Sequence, residues 1–361
     1  MPHSRYESPL PGHARHSTQS AGADAGASTS PKRKRMRRSP WFIVTAGLVA
    51  LLAAAVIRTA VDGASPVANP ATTCGVQGRG AGSPAHTLLG VDAGNPARLA
   101  NVTSEFGHLP ILRVYYNGLP DPALWTTGVQ GINKSAVVVS FRVPPSIILS
   151  GVDDVALSHF FDTAPTGYPI FYSYYHEPEP FITGDYFTLT AYKAAWAHIA
   201  ALADAAHNSE LRSTLIMMAW DLTPDSGINW KNFLPSAGVI TTLGWDAYPA
   251  GSVHDQNPQA TPPADFMGPA VAASRSVGLP FGFAEFALAT QSGRPEWLTE
   301  VANYLQSSGA LFGILFDPPG ARWGDLNDAP SIEAWRKAVA RSACRLMDLT
   351  VIEDILRFPG A

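Results

Sequence analysis

Short apolar segments recur along the chain from residue 86 onward, and Gly, Pro, Asn or Asp bounds most of them. Eight of these segments are apolar at almost every position. This pattern is typical of parallel strands that are buried on both faces. The sequence therefore predicts strands over residues 86–94, 111–118, 135–143, 168–177, 213–221, 239–248, 279–287 and 311–319.

Several spacers between these segments have helical periodicity. Residues 189–208 carry large apolar side chains at steps of three and four, which places them on one face of a helix. Residues 295–309 begin with Pro and end with Gly, as helices commonly do. We predict a third clear helix over 331–346 and weaker ones over 151–162 and 263–277.

Eight alternating strand and helix units in about 260 residues fit a (β/α)8 TIM barrel, whose usual length is about 250 residues. A doubly wound open sheet is the alternative α/β fold. The Gly-x-Gly-x-x-Gly fingerprint of a dinucleotide-binding sheet is absent after the first strand, where the sequence reads GVDAGNPA. We therefore predict a TIM barrel over residues 86–345.

The first part of the chain has a different character. Residues 41–57 contain no charge and follow a run of Lys and Arg, so they are expected to cross a membrane with the N-terminus in the cytoplasm and the barrel outside. We expect a retained single-pass anchor within residues 41–60, with secretion after cleavage as the alternative. Residues 1–40 are expected to be disordered, residues 61–85 to form a linker, and residues 346–361 a C-terminal tail.

Charge separates the same parts of the chain. Residues 1–40 hold eight Lys and Arg against two Asp and Glu, so a total of −4 leaves the remainder at about −10. An acidic domain is not expected to bind nucleic acid, whose phosphates are negatively charged. We also expect the protein to be a monomer.

Cys74 and Cys344 lie near opposite ends of the expected barrel domain. In an oxidising compartment they can form one disulfide, and two unpaired thiols are the alternative.

Polar side chains close every predicted strand. In a TIM barrel the C-terminal strand ends line the active face, so these side chains are expected to share one rim. They are Asp92, Asn117, Arg142, Glu177, Asp221, Asp246 with Tyr248, Glu285 and Asp317.

Two of these residues, Glu177 and Glu285, end strands four and seven. Glycoside hydrolysis uses a pair of carboxyl groups. One is protonated and donates to the leaving oxygen, while the other is ionised and attacks the anomeric carbon or activates water. Glu179 is an alternative acid, although it lies two residues further into the loop.

The chain resembles the clan of glycoside hydrolases with the acid/base on strand four and the nucleophile on strand seven. Within that clan it most resembles family 26, best known for β-mannanases with some related endo-β-glucanases and xylanases. The resemblance spans roughly residues 86–340 and rests on three motifs: His176-Glu177, the GWDAY segment that holds Asp246 and Tyr248, and the AEFA segment that holds Glu285.

The resemblance implies a retaining hydrolase of β-linked polysaccharide or oligosaccharide that needs no cofactor or metal. It implies that Glu177 is the acid/base and Glu285 the nucleophile, that Tyr248 hydrogen-bonds Glu285, and that His176 binds sugar or positions Glu177. Asp246 is a further candidate for substrate binding or a structural role.

Two departures from the family pattern concern the substrate. Pro178-Glu179-Pro180 stands where the family often has Met-Asn-Gly-like residues, and strand eight ends without the common Trp, with Trp323 following later. Trp220, Trp245 and Trp323 are candidates to stack on sugar rings or to pack in the core.

Two other functions stay open on the sequence. One is a barrel that binds extracellular glycan without cutting it. The other is a metal-dependent enzyme with Glu177, Asp221 and Asp246 as ligands. The second lacks a Lys or His base on the last two strands and a His-x-His motif after the first.

Overall fold

Eight parallel strands close into a barrel in the computed structural model, which describes residues 87–126, 135–249, 261–318 and 325–346. Each strand pairs with the next along the chain, and the last pairs with the first. The predicted (β/α)8 barrel is confirmed. The strands are β1 Leu88–Asp92, β2 Ile111–Tyr116, β3 Ala136–Phe141, β4 Ile170–Tyr174, β5 Leu211–Met218, β6 Thr242–Asp246, β7 Phe281–Phe286 and β8 Phe312–Phe316.

Four of the five predicted helices lie between these strands and the fifth follows β8, each within a few residues of its expected limits. No α-helix links β5 to β6, where three short 3-10 turns replace it. The helices are α1 Leu99–Phe106, α2 Ala123–Thr126, α3 Pro145–Ser150, α4 Asp154–Asp162, α5 Glu179–Thr183, α6 Leu189–Ala205, α7 Pro263–Val277, α8 Arg294–Ser308 and α9 Ala329–Leu346.

The core has two layers, because side chains along a strand alternate between its faces. The larger layer lies between strands and helices and includes fully buried indoles such as Trp196 and Trp335. The smaller layer fills the barrel interior with strand residues such as Ile111, Phe171 and Phe312. Apolar filling of the interior leaves the strand ends as the place for polar side chains.

The end of β7 departs from this alternation. Phe283 and Phe286 belong to the helix-facing layer and Ala284 to the interior, so strict alternation would turn Glu285 towards the helices. The pairing of β7 with both neighbouring strands shifts register here. Glu285 instead contacts Arg113, whose strand position faces the interior. A β-bulge of this kind re-aims a side chain.

Several predictions concern residues outside the described ranges. These include the tail, the apolar segment 41–57, the linker, Cys74 and Trp323. Within the described residues, no helix has the length and apolar character to cross a membrane. The predictions of an anchor and of a disulfide therefore stay predictions.

Replacing Gly90 on β1 tests how closely the strands pack. A Cβ at this position would lie 1.9 Å from the carbonyl oxygen of Ile111 on the paired strand. That oxygen belongs to backbone, so it moves only if the ladder opens. We expect Gly90→Ala to lower the free energy of unfolding by about 3 kcal/mol or more, measured by urea denaturation.

Gly118→Ala is the matched control, since nothing lies within 4 Å of a Cβ there. A Gly90→Ala protein as stable as this control would contradict the close approach of β1 and β2.

Candidate active site

Three carboxyl groups meet at the C-terminal mouth of the barrel. Asp246 closes β6, Glu285 lies at the bulge of β7, and Glu177 lies three residues beyond β4. One carboxylate oxygen from each lies within 4.8 Å of the others, so this group has the geometry to hold a cation. The fold thus brings together the two Glu that the sequence paired, and adds Asp246.

Glu285 is held by donors on both oxygens. The Nη1 atom of Arg113 lies 2.7 Å from its Oε1, and the hydroxyl of Tyr248 donates to its Oε2 at 2.6 Å. The Tyr248 bond is the one that the family resemblance implies. Two donors of this kind are the contacts of an ionised carboxylate, which accepts hydrogen bonds and donates none.

Arg113 is the buried cation of the site. Its side chain has no exposed surface, and Nη1 also lies 3.2 Å from Asp246 Oδ1 and donates to the carbonyl of Ala284 at 2.8 Å. Burial alone lowers the pKa of Arg113, but Glu285, Asp246 and Asp92 raise it by more, so the guanidinium stays charged. One fixed positive charge therefore offsets the carboxylates around it.

The surroundings of Glu177 favour its protonated form. Burial, and then repulsion by Glu285, raise the pKa of Glu177 to about 7, although Arg142, Arg113 and a hydrogen bond from Asp246 oppose the rise. Burial and the neighbouring Glu285 also raise the pKa of Asp246 well above its usual value. Burial thus shifts Asp246, like Glu177, towards its neutral form.

His176 is largely enclosed beside these groups. The residue is 6% exposed, its ring centre lies 5.7 Å from that of Tyr115, and its Nδ1 has no hydrogen-bond partner in the part of the chain that the structure describes. Burial, then Arg142 and Arg113, lower the pKa of His176 well below its usual value. The imidazole is thus neutral, and its Nδ1 atom is buried from solvent.

The segment Pro178-Glu179-Pro180 begins helix α5. Glu179 is 1% exposed, and its Oε1 accepts from the backbone N–H of Met218 at 2.9 Å. Burial, then a hydrogen bond to Asp221, raise the pKa of Glu179 well above its usual value. Glu179 is therefore a buried group that ties α5 to the end of β5, and its contacts do not suit the alternative acid.

The tryptophan candidates separate on burial. Trp220 follows β5 and is 56% exposed, which leaves its face open to a ligand. Trp245 packs in the core and is not able to stack on a sugar ring, because its indole is fully buried in the helix-facing layer and donates to Ser274 Oγ at 2.9 Å. Trp323 lies outside the described residues.

The other polar residues at the strand ends differ in burial and in their distance from the three carboxyl groups. Asn117 lies one residue past β2 and is exposed. Asp92 and Asp317 are buried, and burial raises the pKa of each to about 7. Asp221, proposed as a metal ligand, pairs with Glu179 instead of joining the other carboxylates.

Arg113, the cation on which the cluster is built, is not among the site residues expected from the sequence. Its signal was present, because Arg113 interrupts the apolar strand ILRVYY two residues after the inward-facing Ile111. A charge is rarely fully buried unless it is paired. That rule, applied together with strand alternation, points to an interior partner for Arg113.

Comparison with known proteins supports the fold. No protein-family model matches the chain, and no curated protein matches it. The catalytic domain of a family 26 endo-β-1,4-mannanase from Bacillus sp. JAMB-750 is similar in structure, with a TM-score of 0.50 and 12% identity over 70% of this chain and 85% of that one.

An endo-1,4-β-mannanase from Rhizomucor miehei has a TM-score of 0.49 and 13% identity over 72% of this chain and 99% of that one. At 12% identity the likeness to the Bacillus enzyme shows a shared barrel fold and nothing finer. The barrel that the resemblance implies is thus present, and its chemistry has to be argued from the site.

Asp317 gives a test of the buried carboxyl groups. Its Oδ1 accepts from the N–H of Leu326 at 2.7 Å, a bond that an Asn side chain keeps. Burial raises its pKa from 3.8 to about 7, so between those values the folded chain holds a proton that the unfolded chain has lost. Stability from this group is complete below about pH 4 and is lost as the pH rises to about 7.

We expect Asp317→Asn to become more stable relative to the natural chain across this range, by up to a few kcal/mol, since one pH unit between the two pKa values is worth about 1.4 kcal/mol. Urea denaturation at a series of pH values measures it. The exposed Asp225→Asn variant is the control, and a stability difference independent of pH would contradict the raised pKa.

Proposed function

We propose that this protein is a glycoside hydrolase that cleaves β-linked polysaccharide by a retaining double displacement. Glu177 is the acid/base and Glu285 the nucleophile. The observation that carries the proposal is the spacing of their carboxylate oxygens, which lie within 4.8 Å of each other. Carboxyl groups about 5–5.5 Å apart are typical of retaining enzymes, whereas inverting enzymes need about 6.5–9.5 Å to admit a water.

The first step uses the difference between the two environments. Glu177, whose pKa burial raises to about 7, donates its proton to the glycosidic oxygen as the bond to the anomeric carbon breaks. Glu285 attacks that carbon from the opposite face and forms a glycosyl ester. Because Arg113 and Tyr248 hold both oxygens of Glu285, the nucleophile is oriented before substrate arrives.

The second step reverses these roles. Glu177, now ionised, takes a proton from water, and the water oxygen attacks the anomeric carbon as the ester to Glu285 breaks. The hydrogen bond from Asp246 favours the ionised form of Glu177 at this stage. The product keeps its anomeric configuration, and both carboxyl groups return to their starting states.

A β-mannan or a related β-glucan is the substrate class that the motifs favour. His176-Glu177, the segment with Asp246 and Tyr248, and Glu285 follow the family 26 pattern and lie together at the barrel mouth. The exposed indole of Trp220 offers a face on which a pyranose ring stacks. A polysaccharide outside the membrane suits the expected anchor at residues 41–57.

A metal-dependent reaction is the second candidate, because three carboxylate oxygens lie close enough to bind a cation. The guanidinium of Arg113 argues against it, since one of its nitrogens already lies 2.7 and 3.2 Å from two of these carboxylates. A positive charge held there repels a metal ion. Activity that survives dialysis against a chelator excludes this candidate, and activity restored only by a metal establishes it.

Removal of either carboxyl group tests the proposed roles. We expect Glu177→Gln and Glu285→Gln each to lower kcat on mannan or mixed-linkage glucan by at least about 100-fold, because each removes a group that acts in both steps. The measurement is the release of new reducing ends. Glu300→Gln, an exposed residue on α8, is the matched control and should keep full activity.

Azide separates the two roles. With an activated aryl glycoside, Glu285→Ala plus azide should give a glycosyl azide of inverted configuration, and Glu177→Ala plus azide one of retained configuration. If both variants hydrolyse glycan as fast as the control, the assignment fails. If the natural chain binds glycan and releases no reducing ends, the barrel is a binding module.

The pH profile is a further expectation. Glu177 must be protonated in the first step, so kcat/KM should fall tenfold per pH unit above about pH 7, the value to which burial raises its pKa. Initial rates at low substrate concentration measure it. A profile that stays level to about pH 9 would contradict Glu177 as the acid.

A further inference from the structure

We propose that Arg142 is a positioning residue for Glu177: its guanidinium clamps the turn that carries this acid and supplies the cation that faces it. The inference rests on the proposed function and assigns a role to a residue that no motif of the sequence marks. The two halves of the proposal, clamp and charge, rest on different contacts.

The turn after β4 needs a clamp because its backbone is strained. Tyr175 and Glu177 have φ values of 49° and 48°, in the left-handed region that side chains with a Cβ disfavour. Such residues persist only where the surroundings hold them. The N–H of Tyr175 donates to the carbonyl of Phe141 at 2.8 Å, and the N–H of Glu177 donates to the carbonyl of Ile216 at 3.0 Å. These two bonds hold the turn to strands β3 and β5.

Arg142 holds the turn at the residue that lies between these two backbone hydrogen bonds. Its Nη2 donates to the carbonyl of His176 at 3.1 Å, the residue between the two strained ones. A carbonyl fixed in this way sets the rotation of the peptide plane that leads into Glu177. The position of the carboxyl group at the mouth therefore depends on the side chain of Arg142.

The guanidinium is itself well placed to act as a clamp. Arg142 directly follows β3, and its N–H donates to the carbonyl of Tyr116 at 3.0 Å. Its guanidinium carbon lies 5.2 Å from the ring centre of Phe181 and 5.9 Å from that of Tyr175, distances at which a cation interacts with an aromatic face. Its side chain is 25% exposed, so a substitution there does not open the core.

The same guanidinium also attracts the carboxylate of Glu177. Its Nη2 lies 3.7 Å from Glu177 Oε2. Arg113 is the other cation acting on Glu177, but it is fully buried on Glu285 and Asp246, so its removal would disturb the nucleophile. Arg142 is thus the cation whose loss changes the acid while the nucleophile stays in place.

Other titratable groups also act on Glu177, and any pH effect has to be read against them. Those that interact with it electrostatically, besides Arg142, are Arg113 from β2, Asp246 and Tyr248 from β6 and the loop after it, Glu285 from β7, and Glu179 from α5. Burial and Glu285 raise the pKa of Glu177, and Arg142 is the first of the groups that lower it. Loss of Arg142 alone should therefore move the pKa upward.

Direct titration of Glu177 tests the charge. The full-length chain is labelled with Glu carrying carbon-13 at the carboxyl position, and the Glu177 signal is identified by its loss in Glu177→Gln. We expect Arg142→Gln to raise the pKa of Glu177 by about one pH unit or more and Arg142→Lys to leave it nearly unchanged. An unchanged titration of Glu177 in Arg142→Gln overturns this half of the proposal.

Kinetics on the same variants test the clamp. Lys keeps the charge but lacks the planar fork, so Arg142→Lys should lower kcat about tenfold with little change in KM. Arg142→Gln should in addition move the alkaline limb of kcat/KM upward with the titration. An Arg142→Lys enzyme with the natural kcat overturns the clamp, and this variant decides that half even if Arg142→Gln does not fold.

Arg275→Gln is the matched control. Arg275 is exposed on α7 and likewise donates to a backbone carbonyl, that of Ser308 at 2.9 Å. It should change neither the titration nor the rate. The titration does not depend on turnover, so a chain that cuts no glycan refutes the proposed function while the Arg142 titration still gives its own answer.

Discussion

The fully buried guanidinium of Arg113 is the constraint around which the mouth of the barrel is arranged. Transfer of an unpaired charge from water to a protein interior costs several kcal/mol, and close, well-aligned partners offset that cost. The Nη1 atom of Arg113 obtains them from Glu285, Asp246 and the carbonyl of Ala284, whereas its Nε and Nη2 atoms have no hydrogen-bond partner among the described residues. The carboxylates gain a fixed counter-charge in return, so one oxygen from each of three acidic groups lies within 4.8 Å of the others. Removal of Glu285 or Asp246 would leave this buried charge with fewer partners.

The bulge at the end of β7 makes this pairing possible. A regular strand would have sent Glu285 to the helix-facing layer, among the side chains that pack around Trp297 and Trp335. The shift in register opposes Glu285 to Asp246 across the ladder and turns both towards Arg113. A local irregularity of one strand thus decides whether the two Glu form a pair at all, and the ion pair with Arg113 stabilises the irregular backbone.

Glu177 and Glu285, the proposed acid/base and nucleophile, are held by different means. Glu285 lies on a strand, with a buried cation and a tyrosine on its oxygens, which suits a group that must stay ionised and aligned. Glu177 lies on a strained turn, among aromatic rings and a partly exposed arginine, which suits a group that must exchange a proton with substrate and water. The segment Pro178-Glu179-Pro180, unusual beside the family pattern, anchors this turn: Glu179 is buried against β5, so the helix that follows is fixed.

The sequence by itself determined the barrel, because apolar strands alternating with amphipathic helices at regular spacing have few other ways to bury their surface. It also placed Glu177 and Glu285 at the same end of the barrel, since the C-terminal ends of parallel strands share one rim. The tertiary structure alone decided what these residues contact. The alternation of side chains along a regular strand does not predict a β-bulge. The sequence therefore did not show that the side chain of Glu285 points into the barrel. The partners of Arg113 come from strands more than 130 positions away, as in its bond to Asp246. Trp245 and Trp220 look alike as sequence, and only the packing of helix α7 separates the buried indole from the exposed one. Local pattern fixes which elements form, whereas burial, charge pairing and pKa depend on groups that the chain brings together from distant positions.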